Sequence, residues 1–247
     1  MCNLVAACRS GFYSNWTQTT MTNSSLPPEI LDCIIDLLHD EPETLKQCCL
    51  ASKSWVPRTR RHLFADIKFR SASDLKLWKK TFPDVANPPA YHAHTLLVSP
   101  WLFTASNAEE GGWIRAFSGV ASLVMDNRTQ NLRPLVASLA PFYKFSPSLK
   151  SLRVGPIAHP HPQLFNLILS FPLLEDLSLT GYDGSLVKGR YPDKPRAVIP
   201  SSSPPLTGSL GFHIQGGAES TARQLLELPN GLHFRKLELS WGCREDH

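Results

Sequence analysis

The chain has no apolar run approaching the ~18 consecutive residues that a membrane-spanning helix needs. Residues 1–24 also lack a secretory signal: Leu4 to Cys8 is a short apolar stretch with no basic lead. Charge of one sign is scarce, since the net charge of +4 is too mild to argue for a nucleic-acid partner. The six cysteines, Cys2, Cys8, Cys33, Cys48, Cys49 and Cys243, are scattered and form no secreted disulfide framework. They read as buried free thiols in a reducing compartment. The sequons at Asn15, Asn23 and Asn127 then read as chance, and the expected location is cytoplasmic or nuclear.

Motifs that carry chemistry are missing as well. There is no glycine-rich phosphate loop, and Ser118-Gly119 is not a nucleophile elbow. His92 and His94, and likewise His159 and His161, have no Cys or carboxylate at a recognisable ligand spacing and read as loop histidines. Glu109 and Glu110 read as charge at a helix start. The run Arg58-Thr59-Arg60-Arg61-His62 reads as the solvated, C-terminal part of a short helix, where cations are favourable. No cofactor, metal or catalytic role is expected. An enzyme with an unrecognised site would be betrayed by a deep pocket gathering titratable residues.

What is present is an ordinary folded composition, 42% hydrophobic and 19% charged, long enough for one large domain or two small ones. Its most informative stretch is Leu26 to Phe69, which reads as three short helices. Pro28 suits a first helical position, Glu29 suits the dipole of the first turn, and Leu26 and Leu31 are spaced for a hydrophobic staple. Ile30, Ile34 and Leu38 recur at four-residue spacing, with Leu31, Ile35 and Leu37 widening the apolar surface. Asp40 and Glu43, at capping-box spacing, open the second helix with Pro42 in its first turn; Leu45, Cys48, Cys49 and Leu50 point inward. Trp55 and Pro57 open the third, toward His62, Leu63 and Phe64. So short a unit cannot cover both faces of its first helix. The surplus either docks on another protein or packs on the rest of this chain.

The string Leu26-Pro27-Pro28-Glu29-Ile30-Leu31, followed by Ile34-Ile35, Leu38, Leu45 and Leu50-Ala51-Ser52-Lys53-Ser54-Trp55, resembles the F-box. That module docks substrate receptors onto the Skp-type adaptor of cullin–RING, or SCF-type, ubiquitin ligases. The Pro-Pro-Glu, Ile-Ile-Asp and His-Leu-Phe version looks most like F-box proteins of mushroom-type fungi. Ala51 stands where the family usually has Val, which should thin the core. The resemblance spans residues 26–69 and is a degenerate apolar pattern. It implies that Leu26, Pro27, Ile30, Ile34, Leu38, Leu50 and Trp55 either contact the adaptor or set the helices that do.

Beyond it, Ala65 to Arg70 reads as a short strand or connector, and Ser73 to Phe82 as a helix with Leu75, Trp78 and Phe82 on one face. From residue 93 an apolar-x-x-Leu-x-apolar segment recurs, with central leucines at 96, 123, 152, 177, 210 and 237. These spacings mostly fit leucine-rich repeats of 20–29 residues, and the longest interval holds a Pro- and Ser-rich insertion at 184–205. Helical spacing appears between the strands at Trp113, Ile114 and Phe117; from Pro134 through Leu135, Leu139 and Phe142; at Leu164, Phe165, Leu167 and Ile168; and at Ala222, Leu225 and Leu226. Strand, turn and helix repeated give a parallel sheet with helices on one side. The Leu-x-apolar pairs should face the helices and the residues between them the open side.

This is similar to the leucine-rich repeat fold, with a departure: the asparagine usual five residues after the central Leu is Trp101, Arg128, Ile157, Tyr182, Gln215 or Gly242. The expected fold class is therefore α/β, a three-helix F-box followed by an irregular solenoid with a parallel sheet and helices on its convex side. The expected organisation is a disordered leader at 1–24, the F-box at 25–69, a connector at 70–92 and the solenoid at 93–247. No terminal cap is visible in Gly242 to His247, so a truncated solenoid is expected. The resemblance implies a non-enzymatic substrate receptor of the ubiquitin conjugation pathway. It would hold a Skp-type adaptor, through it a cullin scaffold, and a protein substrate, with neither nucleic acid nor membrane as partner. A scaffold with a degenerate F-box and no ubiquitin transfer is the alternative. The expected substrate face is the concave sheet: Val124, Asp126, Arg153, Ser178, Thr180, Glu238 and Ser240.

Overall fold

The computed structural model describes residues 26–83, 89–99, 102, 114, 116–126, 139–145, 148–157, 162–182, 206–215, 222, 225–226 and 232–241. The expected leader at 1–24, the insertion at 184–205, residues 242–247, and Trp101, Glu109, Glu110, Trp113, Arg128, Pro134, Leu135, His159 and His161 lie outside these ranges.

Among the described residues three helices come first: α1 at Pro28–Leu37, α2 at Pro42–Ala51 and, after a 3-10 turn at Lys53–Trp55, α3 at Val56–Leu63. Pro28 and Pro42 are each the first helical residue, where a missing N–H removes no helical bond. The expected capping box at Asp40 and Glu43 does not form. Asp40 lies in the turn that ends α1, Glu41 is the residue before α2, and the Glu41 carboxylate accepts the Thr44 hydroxyl at 2.8 Å. A capping box forms instead in α4, Ala72–Thr81, where the Ser71 hydroxyl accepts the Asp74 N–H and the Asp74 carboxylate accepts the Ser71 N–H. Cys49 is buried as expected, whereas Cys33 is exposed and Cys48 half-buried. Ala51 is also exposed, so its small size leaves this unit's own core unchanged.

Seven strands follow: β1 Asp66–Phe69, β2 Thr95–Val98, β3 Ser122–Asp126, β4 Ser151–Ile157, β5 Asp176–Tyr182, β6 Leu206–Gln215 and β7 Leu232–Trp241. They form one sheet in chain order, every neighbouring pair parallel. Ile67, Leu96, Leu123, Leu152, Leu177, Leu210 and Leu237 stand opposite one another across the whole sheet. Two residues on, Phe69, Val98, Met125, Val154, Leu179, Phe212 and Leu239 form a second apolar ladder. The chain is thus an α/β protein with a seven-stranded parallel sheet.

β1 belongs to this sheet although it lies within the stretch assigned to the helical module. Phe64-x-x-Ile67-x-Phe69 has the spacing of the later strands, with Ile in place of Leu, and a search keyed on leucine passes over it. Ala65 to Arg70, expected as a short strand or connector, thus forms a strand at Asp66–Phe69 that pairs with β2.

The two ladders are buried from β1 to β6. They pack in the same core as Leu164, Phe165, Leu167 and Ile168 of α5, Pro162–Leu169, and as Leu139, Phe142 and Phe145 around the 3-10 segment Ala140–Phe145. The helix expected around Phe142 is thus a tighter 3-10 turn over its described part. β7 differs: Leu237 is 59% and Leu239 52% exposed, against the expectation that this pair also faces covering helices. No helix among the described residues is long and apolar enough to cross a membrane.

Trp78 of α4 ties the helices to the sheet. Its ring lies edge-on to Phe64, just after α3, at 6.0 Å and to Phe69 of β1 at 5.7 Å, and approaches Phe82 at 4.7 Å and Phe117 at 5.8 Å.

A shared carbonyl sets the register at the entries of β2 to β5. Ala65 O accepts the N–H groups of His94 and Thr95 at 2.8 and 2.9 Å. His94 O does the same for Ala121 and Ser122, Ala121 O for Lys150 and Ser151, and Lys150 O for Glu175 and Asp176. At the next step Glu175 O accepts Ser209 N–H at 2.6 Å, and the β6–β7 register shifts between Gly208 and Ser209. Gly208 has φ of 97°, and a Cβ there would sit 1.9 Å from Glu175 O. Gly208→Ala should therefore destabilise the fold by at least the roughly 1–3 kcal/mol of a strained backbone site. Urea unfolding with an unchanged midpoint would show that β6 does not need this turn.

Candidate protein-binding surfaces

The periodicity of α1 gives it two apolar faces. Leu31, Ile35 and Leu38 form one: Ile35 is buried, and Leu31 and Leu38 are half-buried. Ile30, Ile34 and Leu37 form the other, spaced four and three residues apart, and all three are exposed. Leu37 is 82% exposed, the extreme among the described large apolar residues. Leu26 and Leu50 are exposed too, so the expected staple with Leu31 leaves Leu26 about half open at 51%.

The residues expected to serve adaptor binding divide accordingly. Leu26, Pro27, Ile30, Ile34 and Leu50 are open to solvent. Leu38 and Trp55 are half-buried and pack against the core, so they position the helices. Leu37 was missed as a candidate. Counting in fours from Ile30 leads to Leu38, whereas the exposed stripe steps by four and then three.

An ionic clamp holds this face in place. Arg58 of α3 reaches Asp36 of α1 with both Nε, at 2.6 Å, and Nη2, and His62 Nε2 lies 2.7 Å from the same carboxylate. Such a fork fixes orientation better than a single contact. Arg58, read from the sequence as solvated, is thus committed to a partner. Its hydrogen bonds and those of His62 hold the Asp36 carboxyl far below the usual carboxylate range.

The open side of the sheet carries the other candidates. Val124, Arg153, Ser178, Gly211 and Glu238 form one row across β3 to β7. Thr180 and Ser240 share a second row with His213, whose Nδ1 meets the Ser240 hydroxyl. Asp126 pairs with Gly155 at the β3 end of the face. Val124, Asp126, Ser178 and Thr180 are half-buried; Arg153, Glu238 and Ser240 are exposed. A Cβ at Gly155 would fall 2.5 Å from the Thr180 Cβ, so the absence of a side chain there lets the two strands lie close. Lys236 pairs with Glu238 along β7. Arg153 and Glu238 therefore do not form one charge site: β5 and β6 lie between their strands, placing them roughly 14 Å apart at ~4.8 Å per strand. The face is wide and of mixed polarity. Among the described residues, no group of three or more His, Cys, Asp or Glu could hold a metal ion.

Comparison of the chain with family models, curated proteins and solved structures finds no match.

The clamp leads to a pH prediction. A carboxylate whose folded value is depressed stabilises the fold above its unfolded value, and that stability is lost as pH falls toward the folded value. Asp36→Asn should lower the Tm at pH 7 by roughly 2–4 °C. The gap from wild type should then close as pH falls below ~4. A gap that is absent at pH 7, or constant into acid, would show that the clamp adds nothing.

Proposed function

We propose that the chain is a substrate-receptor subunit of an SCF-type ubiquitin ligase, with the F-box-like helices holding a Skp-type adaptor and the sheet holding a protein substrate. One observation carries this reading: Leu26, Ile30, Ile34, Leu37 and Leu50 remain exposed on the helices whose sequence resembles the F-box. Of the two fates for the apolar surplus, packing on the same chain has been met on the Ile35 side and left unmet on the Ile34 side. An exposed aliphatic stripe on a helix is the usual element for docking in a partner's groove.

On this reading the seven in-order parallel strands are an irregular leucine-rich-repeat solenoid. The chain performs no chemistry and acts through proximity. A substrate held on the sheet is brought near the ubiquitin-loaded enzyme that the adaptor and cullin position, which raises its effective concentration there. Arg153, exposed between Val124 and Ser178 in its row, is the cation of the central sheet face and the residue chosen to test it.

The adaptor test uses exposed residues so that folding is spared. Leu26→Ala/Ile30→Ala/Ile34→Ala/Leu37→Ala should weaken binding to a purified fungal Skp-type adaptor by ~100-fold or more, with an unchanged circular dichroism spectrum. Trp55→Ala is a poorer choice, because Trp55 packs against the core. A folded wild-type chain with no adaptor affinity would sink the receptor reading and leave the scaffold. With adaptor binding in place, Arg153→Glu should reduce recovery of co-purifying substrate while retaining the adaptor; equal recovery would remove the sheet face from substrate capture.

A further inference from the structure

From Leu26 to Glu41 the chain carries five carboxylates, Glu29, Asp32, Asp36, Asp40 and Glu41, and no lysine or arginine, although its net charge is +4. Three of the five have partners within the chain. Asp36 is held by Arg58 and His62, Asp40 lies 3.0 Å from His39 Nε2, and Glu41 accepts the Thr44 hydroxyl. Glu29 and Asp32 are exposed and have no hydrogen-bond or ion-pair partner among the described residues. Arg58 attracts Asp32 without touching it. Three residues apart on one helix, Glu29 and Asp32 are neighbours of like charge, an arrangement that costs stability when nothing offsets it.

Their place relative to the aliphatic stripe follows from a rotation of about 100° per residue. Ile30, Ile34 and Leu37 fall within an arc of roughly 60°. Cys33 comes next on one side, followed by Glu29, Asp36 and Asp32. Leu31, Leu38 and Ile35, half-buried or buried, lie on the other side. The outer surface of α1 is therefore aliphatic along one half and anionic along the other, with the exposed Cys33 at the boundary.

That division selects a partner. A stable interface covers about 800 Å² on each side and has a polar rim. Three aliphatic side chains present much less than that. On α1 the contact widens past Cys33, because the other flank is already taken by the chain's own packing. An acidic lip on the partner would set like charge against Glu29 and Asp32. An apolar lip would strip water from two carboxylates and return nothing. A lip carrying Lys or Arg pairs with both and removes their mutual repulsion. The same carboxylates repel a nucleic-acid backbone or an anionic lipid surface.

We propose that the α1 stripe is taken up by a protein groove with an aliphatic floor and, on the Cys33 side, a lip of Lys or Arg that faces Glu29 and Asp32. The proposal rests on the receptor reading, in which that groove belongs to the Skp-type adaptor.

Calorimetric titration of the folded full chain with a purified fungal Skp-type adaptor tests it. Wild-type affinity should fall at least about threefold between 50 and 500 mM NaCl. At low salt Glu29→Lys/Asp32→Lys should bind at least ~10-fold more weakly and lose the salt dependence. Glu29→Gln/Asp32→Asn, which spares the helix a charge reversal in its first turn, should lose roughly threefold. Asp66→Lys, an exposed carboxylate of β1, should stay within about twofold of wild type. Adaptor binding that is indifferent to both double variants overturns the basic lip and leaves the receptor reading standing. Tighter binding on charge reversal, or an equal loss in Asp66→Lys, overturns it as well. A folded wild-type chain that does not bind the adaptor overturns the lip and the receptor reading together.

Discussion

The shared carbonyl at the entry of β2, β3, β4 and β5 is the constraint on which the register of the sheet depends. Ala65, His94, Ala121 and Lys150 each offer one oxygen to two successive N–H groups of the next strand. Each fork fixes where the next strand begins. A slip by one residue would turn a whole apolar ladder to the wrong face. With the entry fixed, Ile67 and the six leucines fall into line, and so does the Phe69-to-Leu239 ladder behind them. The chain thereby holds a regular register without the asparagine ladder whose absence was evident in the sequence. Irregularity enters at Glu175, Gly208 and Ser209, the step with the longest interval between successive strands.

Parallel sheets are ordinarily buried on both faces. Here the alternation along each strand settles which face is covered. Leu96 and Val98 are buried while Leu97 between them is half-buried, and Leu152 and Val154 are buried while Arg153 is exposed. The result is a one-sided sheet with a broad mixed face. The helical unit works by a different rule. Its first helix is apolar on two sides but has neighbours on one, and the Asp36 clamp fixes which side remains outward.

The leucine spacing made the sheet legible from sequence because period-two strands at near-constant intervals leave few other arrangements. Six of the seven strands were visible that way. β1 was legible only as a short strand or connector, outside the repeat, because Ile67 takes the leucine position and the helical motif had already claimed it. Capping was harder to read. Asp40 and Ser71 both offer a side-chain oxygen three residues before a carboxylate, but Asp40 belongs to the turn closing the preceding helix, a tertiary fact that spacing does not contain. The outward stripe on α1 was partly legible: its existence followed from the size of the unit, but Leu37's place on it and Leu38's place off it follow from the helix's real rotation. The spacing of Leu237 and Leu239 matches that of the buried pairs, so spacing alone did not signal their exposure.

The aromatic hub around Trp78 has a consequence for how the protein is made. Phe64, at the end of the helical unit, needs Trp78 and Phe82 from the next helix, and Trp78 in turn needs Phe117 from beyond the second strand. Chains emerge from the ribosome N-terminus first and fold as units. The helices carrying the outward stripe emerge early, yet the aromatic hub that ties Phe64 to the sheet stays unfinished until the segment around Phe117 has followed. During that interval the outward stripe is already exposed while Phe64 and Trp78 still lack their last aromatic neighbour. The nascent chain therefore passes through a stage far stickier than its finished form, and a chaperone or an early partner has its greatest leverage there.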